Sequence, residues 1–252
     1  MTDASGGQPG ASFPHGEKSE IMTKERSFRG FTPETSEFLW DLAFHNERPW
    51  FNEHKKTFLR VLKEPFDALG RETLDILQSR YPELPLQLHI SRIYRDARRL
   101  FGRGPYKDNL WFTIWSGAER HDNPAFWFEI SASSYGYGVG FWAATSAEME
   151  IYRRFIAGHP AQMEELAVVL RDNGRFRLGG EDFKRPKGDV GELLNPWYNK
   201  KNVFISAEYD FGGDLLSPEL PKILADGYTF LMPYYELFRV FGINAEEARS
   251  EE

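Results

Sequence analysis

The chain has 252 residues and a hydrophobic fraction of 41%, enough length and apolar content for a packed core that needs no cross-links. It contains no cysteine, which excludes disulfides, cysteine-bound zinc, iron–sulfur clusters and thiol nucleophiles. A net charge of −7 argues against non-specific nucleic-acid binding, and no stretch reaches the ~18 apolar residues of a membrane helix.

Residues 1–27 are rich in Gly, Ser, Pro and charge and read as a disordered leader without a targeting pattern. With the missing cysteines, this places the chain in the cytoplasm. Residues 28–242 read as one domain and residues 243–252 as an acidic tail. Thr32-Pro33-Glu34 is an N-cap, a proline at the first helical position and a first-turn acid. Phe38, Leu39 and Leu42 then recur at helical spacing, with an end expected near His45-Asn46. A second helix is expected from Pro49, with a break or kink at Pro65, and a third stretch uses Phe66, Leu69, Leu74 and Leu77.

The middle of the chain alternates with period two. Strands are expected over Leu88 to Asp96, Asn109 to Ser116, Ala125 to Ala132 and Tyr135 to Trp142, the last three forming an antiparallel meander. Gly136, Gly138 and Gly140 share one face, which lets another element pack close. A helix capped by Ser146 follows, and another starts at Pro160. Residues 174–201 read as basic and irregular, Val203 to Tyr209 as a last strand, and 219–224 and 229–241 as two helices. The predicted fold is α+β: a mainly antiparallel sheet packed with helices on one face, in a single domain.

The charge is unevenly spread. Ten acids and three bases between Glu208 and Glu252 account for the whole net charge. Against this, the segment from Arg92 to Asn109 holds Arg92, Arg95, Arg98, Arg99, Arg103 and Lys107 with only Asp96 and Asp108. Arg92 and Arg95 fall in a predicted strand, where buried arginine needs a partner: Asp96, Glu129 or an anionic ligand. Gly102, Gly104 and Pro105 permit a tight turn whose N–H groups could face an anion. Guanidinium groups match carboxylate or phosphate bidentately. Lys184-Arg185-Pro186-Lys187-Gly188 and Lys200-Lys201 are further basic patches.

These residues resemble the family catalogued as domain of unknown function 2461. Asn46-x-x-x-Trp50-Phe51, Arg95-Asp96-x-Arg98, Pro105-Tyr106-Lys107, Gly138-x-Gly140-x-Trp142 and Lys184-Arg185-Pro186-Lys187-Gly188 match its motifs in order over roughly residues 28–210. Where that family usually has Phe-Ser-Lys-Asp-Lys before a Thr or Ser, this chain has Arg99-Leu100-Phe101-Gly102-Arg103-Gly104. The resemblance implies no particular activity.

The first functional expectation is a pocket for a phosphorylated or carboxylated small molecule, bound by Arg92, Arg95, Arg98, Arg103, Tyr106, Lys107 and Lys187. Asp96 and Glu129 are the candidate acid/base groups, although Glu129 in an antiparallel strand is expected to face water. The alternatives are a nucleic-acid or nucleotide binding module and a non-enzymatic protein-interaction domain with a structural Arg–Asp network. Trp111, Trp115, Trp127 and Trp142 are expected as core aromatics under helices, with base stacking as the alternative. The histidines stand at no metal-ligand spacing, no metal site is expected, and the residues name no cofactor and no protein partner.

Overall fold

The computed structural model describes residues 27–250 apart from 97, 99, 101, 118–123 and 142–143, with side chains up to residue 241. The expected leader, Arg99, Phe101 and Trp142 therefore lie wholly or almost wholly outside the described residues. Helix α1 (Pro33–Phe44) begins as the sequence indicates: Pro33 opens it, and the Thr32 N–H donates to Thr35 Oγ1 at 3.3 Å. Helix α2 (Arg48–Phe58) passes through a π turn at Leu59–Lys63 into α3 (Glu64–Arg80). The irregularity expected at Pro65 falls one turn earlier. Pro65 has no N–H to give the carbonyl of Val61, and the Thr35 hydroxyl from α1 donates to that carbonyl at 2.7 Å instead.

Six strands follow one antiparallel rule: β1 (Leu86–Ile90), β2 (Asn109–Ser116), β3 (Ala125–Ser131), β4 (Ser134–Gly140), β5 (Arg177–Gly179) and β6 (Phe204–Asp210). Their order across the sheet is β1-β2-β3-β4-β6-β5. Between β4 and β5 lie α4 (Ser146–Gly158) and α5 (Pro160–Asp172); a short α6 (Asn195–Tyr198) precedes β6. The cap of α4 is Thr145 rather than Ser146, with Thr145 and Glu148 exchanging a capping box. The acidic end of the chain is one helix, α7 (Leu220–Ser250), where two helices were expected, and Pro233 sits inside it.

Register assigns the two faces of the sheet. Leu110, Phe112 and Ile114 in β2 lie beside Ile130, Phe128 and Phe126 in β3, all fully buried. Phe66 of α3 meets Phe112 and Phe128 at 5.7 and 5.8 Å, and Tyr235 of α7 stacks on Phe126 at 4.6 Å. Among the described residues, the ring contacts between helices and sheet fall on this face. The other face carries Trp111, Thr113 and Trp115 in β2, Trp127 and Glu129 in β3, and Gly136 and Gly138 in β4. Trp111 and Trp127 are only partly buried there, so they are not core aromatics beneath helices; Trp115 is buried on the same face. Among the described residues, no helix is long and apolar enough to cross a membrane.

Candidate functional site

Strand β1 stops at Ile90, so Arg92 and Arg95 lie beyond it rather than inside it. The chain still pairs there. Lys107 N–H donates to the Ile93 carbonyl at 2.7 Å, Arg95 N–H to the Pro105 carbonyl at 2.8 Å, and Tyr94 bridges Tyr106. The basic loop is thus the tip of an extended β1–β2 hairpin. Gly102 takes φ 78° in its turn, where only glycine is unstrained. Gly104 is held against the α1–α2 junction, where an added Cβ would fall 2.3 Å from Asn46 Cγ.

Three of the N–H groups of this loop are taken within the chain. Arg98 N–H goes to Asp96, Arg103 N–H to the Leu100 carbonyl and Tyr106 N–H to Asn46 Oδ1.

Arg95 is the hub of the loop's side chains. Its Nε donates to the Tyr106 carbonyl at 2.6 Å and its Nη2 to Asp108 Oδ1 at 3.1 Å. The carboxylate partner is Asp108, not Asp96 or Glu129. Asp96 is taken by Arg98, whose Nη2 lies 2.8 Å from Oδ2 in an exposed pair that raises the arginine's proton affinity. Arg103 is exposed in the turn. Tyr106 is buried and stacks on Phe51 at 4.1 Å; burial pushes its phenol pKa up, Tyr94 adds to this, and Arg48 opposes it.

Beside Arg95, Lys107 and Glu129 occupy the near end of the tryptophan face. Lys107 Nζ lies 5.4 Å from the centroid of Trp111, whose strand neighbour is Glu129. Burial holds the Lys107 ammonium below the usual lysine range; Glu129 opposes that shift, while Arg95 and Arg92 add to it. Glu129 is partly buried and does not simply face water. Burial raises its carboxyl pKa, a hydrogen bond from Asn109 opposes the rise, and Asp108 reinforces it. A carboxyl raised by desolvation next to an ammonium lowered by it is the arrangement that proton-transfer chemistry uses.

Two sides of Arg95 are therefore occupied differently. Toward the sheet it acts, with Arg92 and Glu129, on Lys107. Toward α2 it lines a cleft of about 260 Å³ with Arg48, Asn52, Tyr94, Leu100, Pro105 and Tyr106. Sequence reasoning missed Arg48. Its only signal was its place next to the Asn46-x-x-x-Trp50 motif, and among the described residues it forms no salt bridge.

Lys187 does not join this cluster. Arg95 and Lys107 sit where β2 begins, in the row of Asn109, Ser131, Ser134 and Asp210. The Lys187 segment leaves Gly179 of β5, which pairs with Phe204 beside Gly140, at the opposite edge and the opposite end of the strands. Among the described residues, no three of His, Asp and Glu converge as metal ligands.

No curated protein matches the chain. A family model does, over residues 34–237, a span that takes in the Asn46 junction, the basic loop, Glu129 and Lys187. By that match over most of its length, the chain belongs to the conserved hypothetical protein family DUF2461.

Proposed function

We propose that the chain binds a phosphorylated or carboxylated small molecule through Arg48, Arg95 and Lys107. The observation that carries this reading is the double role of Arg95, which lines the cleft with Arg48 and stands within electrostatic range of Lys107 on the tryptophan face. Arg92 adds to the positive field at Lys107, and Glu129 is the group able to exchange a proton with a bound molecule. Arg98 is exposed and already paired with Asp96. A cytoplasmic location belongs to the same proposal and is supported by the absence of cysteine.

The test is a thermal-shift and calorimetric screen with sugar phosphates, nucleotides and carboxylates, run beside Arg48→Ala and Lys107→Ala. Arg48 is exposed, so its loss leaves the fold intact. A ligand at about 100 times its Kd adds about 2.7 kcal/mol of stability, and both variants are expected to lose that gain. Equal shifts in the wild type and both variants would sink the reading.

A second reading is favoured by one observation: Trp111 and Trp127 stand partly buried on the face away from the helices, with Lys107 beside Trp111. Such indoles offer stacking surfaces for bases. Binding of short oligonucleotides should then fall steeply as salt rises; a flat salt response excludes it.

A further inference from the structure

The Lys184–Gly188 motif is left unexplained by the Arg95 site, and its surroundings are unusual. Arg153 of α4 has a side chain only 8% exposed. Its Nη2 donates to Glu150 Oε2 at 3.0 Å, but its Nη1 is enclosed without a hydrogen-bond partner. The guanidinium lies 5.5 Å from the centroid of Phe183, and Lys187 Nζ lies 4.7 Å from the same centroid. Two cations thus share one ring.

This loop is held in place. Phe183 N–H donates to the Asn199 carbonyl at 3.0 Å, Lys187 N–H to Asn199 Oδ1 at 2.7 Å, and Asn199 Nδ2 to the Gly188 carbonyl at 3.2 Å. Its nearby acids are already engaged. Asp182 pairs with Lys200 at 2.8 Å, Glu181 with Lys201 at 3.1 Å, and Asp189 accepts from Asn195 and Gly191. Among the described residues, Lys184, Arg185 and Lys187 form no salt bridge. A buried guanidinium with an unused N–H is costly to leave unpaired. Here it lies beside a surplus of positive charge that the chain does not neutralise.

We infer that Arg153 and Lys187 form a second anion site, which takes a phosphate group, free or as an ester. The planar guanidinium supplies directed N–H donors and the ammonium a movable point charge. Phe183, partly buried over the guanidinium, is the side chain that shifts as the anion enters. The site stands apart from the one at Arg95, at the other end of the sheet.

The test is calorimetric titration of the full chain with inorganic phosphate and with glycerol phosphate at low ionic strength. Wild type, Lys187→Ala, Arg153→Lys and Lys107→Ala are compared. Lys187 is exposed, so its variant folds; Arg153→Lys keeps the charge and removes the fork. The expected result is two binding events. Lys187→Ala weakens one by at least about tenfold and Lys107→Ala the other, since about 1.4 kcal/mol is tenfold. Arg153→Lys weakens the same event as Lys187→Ala. An unchanged titration in Lys187→Ala overturns the inference. A single event that only Lys107→Ala removes overturns it and leaves the Arg95 site standing. A single event that only Lys187→Ala removes does the reverse. No binding at all overturns both.

Discussion

Asn46 and Tyr106 are joined by a closed pair of hydrogen bonds. Asn46 Nδ2 donates to the Tyr106 carbonyl at 3.0 Å, and Asn46 Oδ1 accepts from the Tyr106 N–H at 2.9 Å. The same carbonyl accepts from Arg95 Nε, so one amide at the α1–α2 junction sets the position of the basic loop. Asn46→Ala removes both bonds and leaves a partly buried N–H unpaired. It should cost about 1–3 kcal/mol in urea denaturation and weaken ligand binding at Arg95. Asn46→Asp keeps the acceptor and loses the donor, so it should fall between. An unchanged midpoint in Asn46→Ala would show that the loop positions itself.

The two faces of the sheet should respond differently to truncation. Phe128 is fully buried against Phe66, so Phe128→Ala should cost about 3–5 kcal/mol. Trp127 is the next residue on β3 and stands partly buried on the opposite face. Trp127→Ala should cost less than half as much, despite the larger side chain. Chemical denaturation of the two variants decides this, and equal losses would mean that the tryptophan face is as well covered as the other.

Gly138 marks a close approach of β4 and β6. A Cβ there would lie 2.1 Å from the Ile205 carbonyl oxygen, on backbone that cannot step aside without parting the strands. Gly138→Ala should destabilise by about 1–3 kcal/mol. At Gly158 an added Cβ meets nothing within 4 Å, so Gly158→Ala is the control and should be close to neutral.

Glu129 should make stability depend on pH. Its folded-state pKa is raised by burial above an unfolded value of about 4.3. Between those values the native state binds more protons than the unfolded state, so stability falls as pH rises through that window. Glu129→Gln removes the cost of the buried charge. The variant should melt higher than wild type at pH 7, and the gap should close below about pH 4, where wild-type Glu129 is also neutral. A gap that is the same at pH 4 and pH 7 would show that desolvation of Glu129 is not its source.

Much of the fold was legible from local pattern. The Thr32-Pro33 start of α1, the period-two alternation of β2 and β3 and the antiparallel meander came from adjacent residues and are present as read. The misread elements depended on distant ones. Pro65 was expected to break or kink a helix; the irregularity is a π turn one turn earlier, and Thr35 from α1 takes up the carbonyl that Pro65 frees. Pro233 sits within a single helix packed on the sheet, where tertiary contact outweighs propensity. The span 88–96 has the composition of a strand, yet its ladder with β2 stops at Ile90 and leaves Arg92 and Arg95 in a hairpin extension.

By itself, the sequence determined which residues share a face, where helices start, and that a dense basic loop sits between β1 and β2. Side-chain period and capping chemistry are local, and they need no knowledge of the rest of the chain. Only the tertiary structure decided that helices cover the Phe112–Phe128 face and leave Trp111 and Trp127 on the other. It alone paired Arg95 with Asp108, brought Arg48 to the cleft, half-buried Glu129 beside Lys107, and carried Lys187 to the far end of the sheet with Arg153. Those outcomes are set by long-range strand order and helix packing, which no local spacing encodes.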